Sequence, residues 1–163
     1  MLTLDDIRHL DAAESRLDRG DYANCFDELE RIDFNSRDDQ RVLALLWKLY
    51  NASGQHVPAA TLALDVQRLF PDEPAGYLWR SISLTKLGCT QEAYDSLAPV
   101  AGKFDGLGVV PYTLSVLAAQ LQRMELAYDW LAKAFATPEG DEFKMLSLEE
   151  KELDGLWRKI EAI

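Results

Sequence analysis

The residues of this chain equipped for chemistry are two histidines, two cysteines and several neighbouring carboxylates. His9 and His56 have no second ligand type three or four residues further on, and Cys25 and Cys89 form no CxxC pair. A metal site would require all four to converge from separate parts of the chain, so no metal centre is expected. The acid pairs Asp5-Asp6, Asp27-Glu28, Asp38-Asp39, Asp72-Glu73 and Glu149-Glu150 do not read as acid–base dyads, because adjacent side chains on a helix point apart. They are expected on solvated faces, with Asp38 and Asp39 charging the N-terminus of a following helix. No GxxxxGK loop, GxGxxG turn or GxSxG elbow occurs. The expectation is a protein that is not an enzyme, with no cofactor and no catalytic residue.

Composition narrows the class. The 163 residues are 48% hydrophobic and 10% aromatic, enough for one domain with a core and unlike a disordered chain. With 28 acids against 17 bases the net charge is −11. That balance argues against nucleic acid and against an anionic membrane surface as partners, since both are gripped by clustered Lys and Arg. The charge is unevenly placed: residues 1–40 hold 12 acids and 5 bases, residues 138–163 hold 8 and 4, and the stretch between holds 8 of each. The first residues, MLTLDDIRHLDAAE, carry acids where a secretory leader has basic and apolar regions. No window approaches 18 uninterrupted apolar residues. A reducing cytoplasm is the expected location.

A period of 34 residues organises the chain. Gly20, Gly54 and Gly88 are equally spaced, and Gln122 takes the next place in the series. Five residues after each comes a small side chain: Cys25, Ala59, Ala93 and Ala127. Leu29, Ala63, Leu97 and Leu131 follow at the next register position, then Ile32, Val66, Val100 and Ala134. Between them run helical apolar stripes such as Leu43, Leu46, Trp47 and Tyr50, or Leu114, Leu117, Ala118 and Leu121. Tyr77, Ser81, Leu84 and Leu87 make a weaker one. The glycines predict a left-handed residue just past the first helix of each pair, and the small residues predict close helix approach.

On these residues the chain resembles the tetratricopeptide repeat family over roughly residues 6–137. Gly20-Asp21-Tyr22 resembles the family's inter-helix turn, and Phe70-Pro71-Asp72-Glu73-Pro74-Ala75-Gly76-Tyr77 resembles its repeat junction. Departures are His9, Ala12, Ala13 and Arg16 in the first unit and Arg80 in an apolar slot of the third. The fourth unit lacks both the turn glycine and the closing proline, and has Pro111 near its start. The resemblance implies one domain: an all-α, right-handed solenoid of antiparallel helix pairs, with repeats at about 6–39, 40–73, 74–107 and 108–137. Residues 138–163 do not fit a full fifth repeat and are expected to form a helical cap. Within them Thr137-Pro138 predicts one helix start. Ser147-Leu148-Glu149-Glu150 predicts a capping box for a second helix, with Leu153, Leu156, Trp157 and Ile160 on one face.

In this family the first helix of each repeat lines a concave groove that binds peptides. Mapped by register, the resemblance implies a partner surface comprising Arg41, Leu45 and Lys48 from the second repeat. The third adds Leu78, Trp79, Ile82 and Lys86, and the fourth Tyr112 and Val116. Arg41, Lys48, Asn51 and Lys86 are too few polar groups for the family's carboxylate clamp. The groove reads instead as apolar and aromatic, suited to an amphipathic helix or an extended segment of a partner protein. Two readings stand for Trp79 and Tyr112: partner contacts, or packing under the chain's own tail, a second copy or neighbouring helices. Arg80 likewise either pairs with an internal carboxylate or binds outward. The function expected is an interaction module or adaptor. A secretion-type chaperone and a self-associating scaffold, with a homodimer contact on the same surface, are the alternatives.

Overall fold

A computed structural model describes residues 1–161, so the last two residues of the expected cap lie outside the described residues. Among the described residues there is no strand, and no helix is long and apolar enough to cross a membrane. Helices come in pairs: α1 (Leu4–Asp18) with α2 (Tyr22–Glu30), α3 (Gln40–Ala52) with α4 (His56–Leu69), α5 (Ala75–Lys86) with α6 (Thr90–Leu97), and α7 (Val109–Gln120) with α8 (Met124–Phe135). The tail forms α9 (Gly140–Glu149), a 3₁₀ segment (Lys151–Leu156) and α10 (Trp157–Glu161). Each helix packs chiefly on its chain neighbours, an arrangement consistent with a helical solenoid or repeat.

The turn inside each pair is the same object built four times. Gly20, Gly54 and Gly88 have φ of 73°, 75° and 77°, and Gln122 adopts 61°. In each, the next amide reaches back five residues: Asp21 to Arg16 O (2.9 Å), Gln55 to Tyr50 O (2.7 Å), Cys89 to Leu84 O (2.9 Å) and Arg123 to Ala118 O (2.9 Å). These bonds satisfy carbonyls that the helix end leaves open. Only Gln122 does this with a Cβ, which is strained in the left-handed region. Gln122→Gly is therefore expected to stabilise the protein by about 1 kcal/mol, read as a higher urea midpoint at unchanged m-value. A lower midpoint would show that the glutamine side chain has an unseen role.

The small residues that follow are all fully buried: Cys25, Ala59, Ala93 and Ala127 at 0% exposure. Gly76 does the same for α4 and α5, since a Cβ there would sit 2.8 Å from the Gln67 amide nitrogen. Around these contacts the core runs along the stack. Ala13, Leu29, Ile32, Val42 and Leu49 fill its first part. Leu97, Phe104, Val110 and Leu114 fill the third, and Ala127 and Leu131 the last. Leu153, Leu156 and Ile160 of the tail are buried against that last cluster and cover α7 and α8.

Successive pairs are also tied by side-chain hydrogen bonds between residues about one period apart. The Trp47 indole donates to Ser83 Oγ (3.1 Å) and the Trp130 indole to the Tyr94 hydroxyl (3.0 Å), each across 36 residues. Arg123 donates to Gln91 across 32, and Lys159 to Glu125 across 34. The last tie places the tail against α8 as one pair sits against the next.

Several local expectations are corrected. The Thr137 hydroxyl donates back to Ala134 O, closing α8, and the next helix begins only at Gly140. Ser147 is buried inside α9 with its hydroxyl on Phe143 O, so it caps nothing. Trp157 leaves the face of Leu153, Leu156 and Ile160: it is 37% exposed and its indole donates to Ser147 O of α9. Leu87 is exposed, not inward.

Candidate functional site

The odd-numbered helices lie side by side. α1 touches α3, Trp47 of α3 stacks on Trp79 of α5 (5.1 Å, 12°), and α5 shares a hollow with α7. Three hollows follow along this surface. The first, about 310 Å³, has Ile7, Leu10, Asp11 and Glu14 of α1 on one wall and Arg41, Ala44, Leu45 and Lys48 of α3 on the other. The second, about 230 Å³ and largely apolar, lies among Arg41, Leu43, Val66, Phe70 and Trp79. The third, about 320 Å³, is lined by Ile82, Lys86, Tyr112, Val116, Leu117, Gln120 and Glu150, among others.

The nine expected groove residues are therefore distributed, not gathered into one groove. Arg41, Lys48, Ile82 and Lys86 are exposed, Ile82 at 40%. Leu45 is corrected: at 3% exposure it belongs to the core and forms only the floor of the first hollow. Leu78 is half-buried against Leu97, Phe104, Val110 and Leu114. Trp79 and Tyr112 are half-buried too. One face of Trp79 is spent on Trp47, and Tyr112 packs on Phe143 of the tail (5.3 Å). Both nevertheless line hollows, so packing and access are combined in the same side chains.

In two of the acid pairs one member is buried instead of solvated, Asp6 and Glu28, while Asp5 and Asp27 are exposed. Asp6 is 3% exposed. It accepts from the Asp33 amide (2.9 Å), the Thr3 amide (2.9 Å), the Thr3 hydroxyl (2.8 Å) and the Ser36 hydroxyl (3.0 Å). These donors, the Asp33 amide foremost, hold its carboxyl well below the usual carboxylate range. Glu28 is buried as well, meeting His9 Nδ1 at 2.8 Å, Arg31 at 3.2 Å and Arg16 at 3.6 Å. The His9 hydrogen bond is the main cause of its lowered pKa. This imidazole–carboxylate pair fastens α1 to α2 within an ion-pair hub. Arg80 is resolved inward: its guanidinium donates to Glu92 Oε1 at 3.0 Å, and its Nε is buried without an acceptor.

The tail adds a feature the sequence reading did not isolate. Glu150 hydrogen-bonds Glu152, and that bond, with burial and the neighbouring negative charge, pushes its pKa up to about 7. Tyr112 is pushed up to about 12, by burial first and then by Glu150, Glu152 and Glu149. Among the described residues, no group of three or more His, Cys, Asp or Glu side chains is placed to hold a metal ion. Compared with family models, curated proteins and solved structures, the chain gives no match in any of the three.

Proposed function

We propose that the chain is a non-catalytic interaction module of tetratricopeptide type that holds a peptide or helix of a partner protein on the face of α1, α3, α5 and α7. The observation that carries this is the row of three hollows along the odd-numbered helices, with Ile82 exposed in the third. Grooves spaced by a helical repeat suit an extended or helical ligand that meets each unit in turn. Exposed Lys48 and Lys86 flank the apolar surface and have no carboxylate within 4.0 Å among the described residues. Such groups orient a ligand more than they add affinity. The 34-residue register and the four-fold repeated turn support the family reading.

Ile82→Asp tests it. The residue is exposed on α5, so the melting temperature is expected to stay within about 2 °C of wild type. A partner retained by the immobilised wild-type chain from a native lysate is expected to be lost by the variant. Equal retention by both proteins would place binding elsewhere.

A further inference from the structure

All three hollows are lined by both acidic and basic side chains; among the described residues, the third alone also has a buried acceptor, Gln120 Oε1, without a donor. Lys86, exposed in the last turn of α5, lines this third hollow. Glu150, the residue that follows α9, lines it as well. Ile82, Tyr112, Val116 and Leu117 supply its apolar lining. Among the described residues no carboxylate is within 4.0 Å of the Lys86 ammonium, and no Lys or Arg is within that distance of Glu150 or Glu152. Neither group has an ion-pair partner of its own among the described residues.

The acidic side is also short of hydrogen-bond donors. Glu150 is half-buried, and a second carboxyl, Glu152, lies close by in sequence. The Gln120 amide nitrogen reaches Glu152 at 3.5 Å, which leaves Gln120 Oε1 buried with no donor. A buried acceptor without a donor carries a standing cost, so an occupant that supplies N–H groups gains there. Lysine and arginine offer several donors and a positive charge on a long apolar stem, and that stem can lie along Tyr112 and Val116.

We infer that the α5–α7 hollow takes an amphipathic partner segment whose apolar ridge carries a lysine or arginine toward Glu150 and an acidic residue toward Lys86. This rests on the interaction-module reading and specifies the chemistry of what is held. The two charged groups also favour one polarity of docking, because a reversed segment would bring like charges together. Nonspecific attraction to the net charge of −11 does not produce such a pattern, since it lacks a preference for an acid on the second flank.

A randomised 16-residue peptide library, panned on the immobilised full chain, tests this directly. Parallel panning uses Glu150→Gln/Glu152→Gln, and Asp129→Asn/Glu139→Gln as a control that removes two exposed acids elsewhere. Circular dichroism confirms that each variant is folded. Peptides selected by wild type and by the control are expected to carry a basic residue beside an apolar ridge, with an acid on the opposite flank. Their affinity is expected to fall about tenfold on Glu150→Gln/Glu152→Gln. The same enrichment and affinity on that variant, or apolar peptides with no basic preference, would overturn the inference while leaving the interaction module standing. No enriched peptide on any of the proteins would overturn both.

Discussion

Asp6→Ala is expected to lower the melting temperature by about 5 to 10 °C, although it removes one small acidic side chain near the start of the chain. The carboxylate holds four donors at once: both groups of Thr3, the Asp33 amide and the Ser36 hydroxyl. Thr3 and Asp6 form a reciprocal capping box on α1, while Asp33 and Ser36 belong to the turn between α2 and α3. One residue therefore caps the first helix and pins it to the approach to the second pair. Its removal strands buried donors. Asp6→Asn is expected to lie between wild type and alanine, because the amide keeps an acceptor but loses the charge. The pH dependence has a definite sign. A carboxyl whose pKa is depressed from 3.8 in the folded state stabilises fully above that value, and the contribution is lost as pH falls below it. Wild type is therefore expected to lose stability faster than Asp6→Ala below about pH 4. Thermal melts of both proteins from pH 7 to pH 2.5 would show it; parallel curves would mean that Asp6 is not the group responsible.

Gly140→Ala is expected to cost about 2 to 3 kcal/mol. The hydrogen at Gly140 faces the backbone of the last turn of α8: a Cβ there collides with the Phe135 carbonyl oxygen and lies 2.8 Å from its carbon. Backbone cannot rotate aside as a side chain does, so α9 has to move. That movement reaches the third hollow. α9 brings Phe143 onto Tyr112 and leads into Glu150, so the same substitution is expected to weaken any ligand held between α5 and α7. Gly102→Ala is the control, since a Cβ there meets nothing within 4 Å. Urea unfolding compares the two. Equal midpoints would show that α9 has room to give.

The parts of the fold legible in the sequence are those set by the local backbone and by size. A residue past a helix end needs a left-handed φ, and three glycines advertise it; two helices crossing closely need a small side chain, and Cys25, Ala59, Ala93 and Ala127 advertise that. Asp6 and Glu28 stayed hidden because what buries them comes from other elements: Asp33 and Ser36 in one case, His9 and Arg16 in the other. The adjacency of acids says only where neighbours point, not what lies opposite. Ser147 misled because a serine followed by glutamates fits a cap, yet equally fits a hydroxyl bonded to the preceding turn. Leu45 misled because a register borrowed from a family gives a direction, and the depth at which α1 packs on α3 decides whether that direction meets solvent.

The one-period ties have a kinetic consequence. The longest side-chain hydrogen bonds among the described residues span 36 residues, so no part of the network waits for the two ends of the chain to meet. Loop-closure entropy is then incurred in short instalments, and chains dominated by such near contacts fold in microseconds to milliseconds. Any adjacent two pairs are able to nucleate, and growth proceeds outward in either direction. The Trp47–Trp79 stack joins α3 to α5 in the middle of this array, so its near-ultraviolet signal reports the junction from which both halves extend. Amide exchange is expected to be slowest in α4 and α5, the two helices that pack most extensively on each other among the described residues.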